Sequence, residues 1–180
     1  MKKIAPFLFA SLFMLSCSVQ FVAPKGNYPK PPIAYHSNKP VDKVWDNLID
    51  VFAQNGLSIK IIDKSSGLIV SERKSLSFTV EDKKGKIKNP SAFVIMPRIT
   101  YEGFDDAILP YHVYGEWNVR IKAEGQGTLI NINLLNFNAD YGDPKSENSL
   151  YYQKLRRKYQ GSLDGQTTGI FENIIATSIK

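Results

Sequence analysis

Cys17 is the only thiol in the chain. A lone cysteine cannot close a disulfide within the chain or build a cysteine-rich metal site. His36 and His112 are the only imidazoles, the side chains best suited to move protons near neutral pH. Neither stands in a His-Glu-x-x-His pattern, and the chain has no Gly-x-Ser-x-Gly elbow or phosphate loop. Asp105-Asp106 is a candidate carboxylate pair, but adjacent side chains usually point apart, so it reads as a turn. Asp140 and Asp143 lack the spacing of a calcium loop. A hydrolytic pair of acids brought together by the fold is the one catalytic arrangement left open. The reading is a non-enzyme with no catalytic residue, cofactor or metal site.

Basic side chains gather in two places. Lys154, Arg156, Arg157 and Lys158 lie in a stretch without an acid between Glu147 and Asp164. They read first as a solvated helix face, and otherwise as a patch for an anionic partner such as lipid phosphate or a cell-wall polymer. Lys83, Lys84, Lys86 and Lys88 surround Gly85, as a headgroup contact or as a solubilising tip. The formal charge is +6 with 23 basic and 17 acidic residues; without Lys2 and Lys3 it is +4. That excess is mild and no recognition motif accompanies it, so no nucleic-acid partner is expected.

The N-terminus reads as a leader. Met1–Lys3 is basic, and Ile4–Leu15 is an apolar run broken only by Pro6 and Ser11. It suits export and is too short to span a bilayer as a helix. Met14-Leu15-Ser16-Cys17 resembles a bacterial lipobox, with Met14 where that motif prefers Leu and small Ser16 matching. The resemblance implies a lipoprotein signal peptide over 1–16 and lipidation (palmitate included) at Cys17. Each buried CH₂ of such a chain contributes about 0.8 kcal/mol to membrane attachment. Cleavage after Ser18, giving an ordinary secreted protein, is the other reading. Ser18 is not the Asp that retains many such lipoproteins in the inner membrane, so the resemblance implies the outer membrane, facing the periplasm.

Residues 17–32 then read as a Pro-rich tether, because Pro24, Pro29, Pro31 and Pro32 favour extended polyproline II. Some fifteen residues at about 3.1 Å each would hold the body ~45 Å from the bilayer.

Residues 33–180 form one domain by length, and a hydrophobic fraction of 43% suffices for one core. Val41, Val44, Trp45, Leu48, Val51 and Phe52 recur at helical steps, and Asn55-Gly56 ends the helix. Asn38 is the candidate N-cap. Asp42, Asp46 and Asp50 make an acidic outer stripe. Leu57–Asp63 and Leu68–Arg73 read as a hairpin around Lys64–Gly67, and Ile33–His36 as a first strand. Ser75–Pro90 reads as a loop-like insert. Ala92–Met96 reads as a strand at a sheet edge, or one ended by Pro97, leaving dimerisation open. His112–Glu124 alternates with period two, as does Thr128–Asn138 until its phase flips near Leu134, where a bulge is expected. A Gly125-Gln126 type II′ turn would pair Ile121 with Ile130 and Val119 with Ile132. Ser149–Tyr159 is a short helix candidate, and Thr168–Ile179 a stronger one.

The expected fold is α+β: about five to six antiparallel strands with two helices on one face, in the order β-α-β-β-β-β-β-α. Val44-Trp45…Leu48…Phe52…Gly56-Leu57…Ile59…Asp63…Gly67-Leu68-Ile69-Val70 resembles the domains of BamC-like envelope lipoproteins. Helix-grip and TBP-like domains share that pattern, and Thr167-Thr168-Gly169…Phe171-Glu172 is a further echo. The resemblance implies a membrane-anchored interaction or assembly module whose partner is an envelope protein complex. The alternative is a small-ligand or lipid-binding domain with a cavity between helix and sheet.

Overall fold

The computed structural model describes residues 19–101, 107–140 and 165–180. The first helix, α1 (Val41–Gln54), buries Val44, Trp45, Leu48, Val51 and Phe52, the face its spacing predicts. Its start differs from expectation. Pro40, not Asn38, is the N-cap, and no side chain closes the first turn. The approach is fixed from outside the helix instead. The Ser37 hydroxyl donates to the Ile179 carbonyl, the Lys39 amide donates to Ser37 Oγ at 3.2 Å, and Thr128 Oγ1 donates to the Lys39 carbonyl at 2.8 Å. At the far end the Leu57 amide reaches the Phe52 carbonyl and the Gly56 amide that of Ala53, a Schellman closure. Gly56 meets its need for positive φ, at 62°.

The main sheet is built on one long hairpin. β10 (His112–Glu124) and β11 (Gly127–Asp140) pair with Ile121 opposite Ile130 and Val119 opposite Ile132. Gly125 takes φ 60° and Gln126 does not take a positive φ, as a type II′ turn requires. β2 (Ile33–Ser37) adds antiparallel to β11. On the other side β4 (Leu68–Ser71) and the two-residue β5 (Lys74–Ser75) pair with β10, and β3 (Ile59–Asp63) closes the order β2-β11-β10-β4-β3. All these pairings are antiparallel. The phase flip in β11 lies beyond Leu134. The register slips between Leu135 and Asn138, where Asn136 takes φ 50°, so Leu135 is exposed and Phe137 turns inward.

The region between β5 and β10 was only partly legible. β6 (Phe78–Val80) lies inside the expected insert and pairs in parallel with β7 (Val94–Met96). β7 is not an edge. It sits between β6 and β12 (Gln166–Thr167), although it does end at Pro97. Three-residue strands whose partners are distant in sequence leave no periodic trace. A third small sheet joins β1 (Val19–Val22), β8 (Arg98–Tyr101) and β9 (Ala107–Ile108). The described part of the expected tether is therefore not a spacer: Val19–Val22 is paired along Arg98–Tyr101.

The last helix, α2 (Ile170–Ser178), lies beside α1 on the same face of the sheet. Two helices on one face of an antiparallel sheet of about six strands are the α+β arrangement expected from the sequence, while the order β-α-β-β-β-β-β-α is extended by the strands of the two smaller sheets. The core beneath the helices joins Trp45, Leu48 and Phe52 of α1, Trp117, Val119 and Ile121 of β10, Ile130 and Ile132 of β11, and Phe171 and Ile175 of α2. A second core of Leu76, Val80, Val94, Met96, Ile99 and Val113 continues it, and Phe93 and Leu134 pack against both. Ile175 is fully buried while Ile174 is half-buried. Ile175→Ala should cost about 2–5 kcal/mol in urea denaturation, and Ile174→Ala clearly less.

Candidate functional site

β3 is the outermost strand of the main sheet, and among the described residues no strand pairs with its free side. Opposite Ser71–Leu68 it carries one extra residue, so that Lys60 forms a bulge. The bulge puts Ile59 and Ile62 on the helix side, opposite Ser71 and Ile69, and Ile61 on the other side, opposite Val70. Ile61 is 43% exposed and Ile62 56%. On the far face Lys60 Nζ comes within 4.0 Å of Glu116.

Between this edge and α1 runs an open apolar groove of about 390 Å³, lined by Ile49, Ala53, Gly56, Leu57, Ser58 and Ile59. Asp42, Asp46, Ile49 and Ala53 follow at steps of three and four, so they share one flank of α1. The Asp42–Lys64 ion pair, at 2.8 Å, ties this flank to the turn after β3. The hydrogen bond from Lys64 holds the Asp42 carboxyl below its ordinary value, and Asp42 and Asp46 hold Lys64 above its own. The turn is preset by Asp63, whose Oδ1 accepts from the Ser65 hydroxyl at 2.6 Å and the Ser65 amide at 3.0 Å. Bonds from Ser65 and Ser66 pull its carboxyl down to about 2.

Two buried carboxylates sit elsewhere in contrasting surroundings. Glu81, 4% exposed, receives the Lys25 amide at 2.6 Å, the Gly26 amide at 2.8 Å and the Tyr28 hydroxyl at 2.6 Å. Burial pulls its pKa up, but the donors outweigh burial and the net shift is downward. Burial and the adjacent Glu81 push the Tyr28 hydroxyl upward. Glu81 thus clasps the segment that follows β1. Glu172, 1% exposed, is held by one side chain, Thr167 Oγ1 at 2.8 Å, and its Oε1 lacks a partner, as does Trp117 Nε1. Burial dominates there and raises its pKa. The charge of Glu172 also adds to the upward push on Tyr35, after Tyr35's own desolvation.

The two histidines do not converge. His36 pairs with Leu129 and His112 with Asp140, at opposite ends of β11 and about 35 Å apart along the strand. His36 Nδ1 lies 2.6 Å from Glu124 beside an open polar recess of about 400 Å³ that Asn38, Gln126 and Thr128 help to line. His112 packs edge-on against Tyr111 and tilted against Tyr114. Among the described residues no three His, Cys, Asp or Glu side chains gather as metal ligands. No described helix is long and apolar enough to cross a membrane.

Cys17, Asp105, Asp106, Asp143 and the basic group Lys154, Arg156, Arg157 and Lys158 lie outside the described residues, as does the helix expected over Ser149–Tyr159. Trp45 is core, and Asp42, Asp46 and Asp50 are exposed, as expected. The exposed edge was missed, although Ile61-Ile62, two adjacent large apolar residues in a short strand, breaks the alternation of a half-buried strand. The clasp had no signal: Glu81 stands among lysines and reads as part of a solvated tip.

No family model matches the chain, and no curated protein matches it. Among solved structures, the chain is similar to the Zhui aromatase/cyclase from Streptomyces sp. R1128, with a TM-score of 0.31 and 16% identity over 90% of this chain and 92% of that one.

Opposite pH responses should separate the two carboxylates. The lowered pKa of Glu81 gives stability that is present above its unfolded value and lost as pH falls through the folded one. Glu81→Gln should therefore cost about 2 kcal/mol at pH 7 and speed amide exchange over 19–28, with the gap closing in acid. The raised pKa of Glu172 means that stability falls as pH rises through its folded value. Glu172→Gln should raise the thermal midpoint at pH 7 and lose that advantage below about pH 4.

Proposed function

We propose that this chain is a lipid-anchored protein of the bacterial envelope whose body works by docking on an envelope protein complex rather than by catalysis. The observation that carries the reading is the outer edge of β3, which no strand among the described residues pairs, with Ile61 and Ile62 exposed and an apolar groove beside it. An unpaired edge invites main-chain pairing, and natural sheets usually blunt or cover it. Here the bulge at Lys60 blunts one end, while Ile61 and Ile62 stay open.

The lipobox resemblance at Cys17 and the BamC-like pattern from Val44 to Val70 support the anchor and the setting. The anchor stands close to the body. Val19 is already paired in β1, and one residue, Ser18, lies between it and Cys17, so at most about 7 Å of chain separates them. The alternative, a ligand held between helices and sheet, has less support. That interface is occupied by Trp45, Phe52, Ile121, Phe171 and Ile175, with the Trp117 and Phe171 ring centroids 4.6 Å apart.

Two measurements test the proposal. Intact-mass analysis of the protein from its native envelope should show acylated Cys17, and Cys17→Ser should release a folded chain from the membrane. A photoreactive residue in place of Ile62 should crosslink to a second protein in the envelope, while one in place of exposed Lys122 should not. An unmodified Cys17, or crosslinks only within the chain itself, would refute it.

A further inference from the structure

We infer that Lys25 and the lysine turn of residues 82–88 rest on anionic phospholipid headgroups, so that the body lies on the bilayer with β1 along its surface. This rests on the anchor reading above and adds a second point of attachment to it. The turn is closed and preset. The Asp82 amide donates to the Lys86 carbonyl at 2.8 Å and the Gly85 amide to the Asp82 carbonyl at 3.1 Å, with Gly85 at φ 83°. Asp82 Oδ1 accepts the Lys84 and Lys86 amides, each at 2.8 Å. Lys83, Lys84, Lys86 and Lys88 are carried on this turn, and all four are exposed. The Glu81 clasp brings a fifth cation to them: exposed Lys25 sets its Nζ 3.4 Å from the Lys83 carbonyl. Arg98, opposite Val22, lines a small recess together with Lys25 and Asp82.

The two carboxylates among these cations are committed to main-chain amides, Glu81 to those of Lys25 and Gly26, Asp82 to those of Lys84 and Lys86. Among the described residues no carboxylate forms an ion pair with Lys25, Lys84, Lys86 or Lys88. Their charge is open to an anionic partner, and screening limits its reach to about 8–10 Å.

Tether length decides which partner. At most about 29 Å of chain joins Cys17 to Lys25. β1 runs from Val19, next to the anchor, to Val22, and the clasp follows three residues on. With β1 upright, Lys25 would stand up to about 20 Å above Val19, beyond the reach of the surface charge. With β1 laid flat the lysines meet the headgroups, where each favours that pose about fivefold. Acyl chains retain the protein in either pose, so the lysines set how it lies rather than whether it stays. A soluble polyanion would pair with the turn in both poses and gains nothing from the anchor.

The test uses the full acylated protein from its envelope, in vesicles of phosphatidylcholine alone or mixed with phosphatidylglycerol. Lysine acetylation is followed residue by residue by mass spectrometry. It should slow at least about threefold at Lys25, Lys83, Lys84 and Lys86 in the anionic vesicles. Lys122, at the far end of β10 from the second core, should keep its rate. High salt should remove the difference. The double variant Lys84→Gln, Lys86→Gln keeps both main-chain bonds to Asp82 and should return Lys25 and Lys83 toward their rates in neutral vesicles. Equal rates in the two vesicles, slowing that extends to Lys122, or slowing by inorganic polyphosphate but not by phosphatidylglycerol would each overturn the inference. Acylated Cys17 without this slowing leaves the anchor standing and removes only the second attachment. An unmodified Cys17 removes both.

Discussion

The ladder between His112–Glu124 and Gly127–Asp140 sets the geometry to which the rest of the chain conforms. β2 registers on one of its strands, and β4 and β5 on the other. Its inner face runs under both cores, from Ile121 and Ile130 beneath the helices to Val113 beneath β6 and β7. A slip of one residue would turn Ile130 and Ile132 outward while Val119 and Ile121 stayed inward, so both apolar pairs enforce the register. Phe171 of α2 then locks against the same face, in ring contact with Trp117, Phe52 and Phe93.

That ladder was also the most legible part of the sequence, for the same reason. Strict period two, a glycine at a two-residue turn and matched apolar pairs are local signals, and they carried the register residue by residue. The helix from Val41 was equally plain. What the sequence hid were contacts made across long separations by very short segments: Val19–Val22 on Arg98–Tyr101, and Val94–Met96 between Phe78–Val80 and Gln166–Thr167. The prolines of residues 17–32 spoke for a spacer, but proline composition is silent about whether a buried carboxylate waits elsewhere. The exposed edge was half legible. Leu57–Asp63 was recognised as strand, while its place as the last strand of the sheet depended on a topology no local pattern encodes.

Glu81 and Glu172 show how completely the donors around a buried carboxylate decide its meaning. Two main-chain amides and a hydroxyl turn Glu81 into a fixture for the N-terminal segment. A single threonine hydroxyl leaves Glu172 with one oxygen unmatched. Glu172 lies in the first turn of α2, where a negative charge is favoured by the helix end. Its retention there, with the Thr167 hydroxyl also receiving the Gly169 amide at 3.0 Å, fixes how α2 enters the core.

The position of Phe171 bears on how the protein comes into being. Ribosomes deliver a chain from its N-terminus, so the α1 face and the β10–β11 hairpin exist well before the aromatic ring that closes over them. Until residues 166–179 arrive, Trp117, Phe52 and Ile132 have no lid, and β7 lacks its β12 neighbour. That interval opens when β11 is completed at Asp140, and what the apolar face lacks throughout it is the Phe171 ring that packs on it.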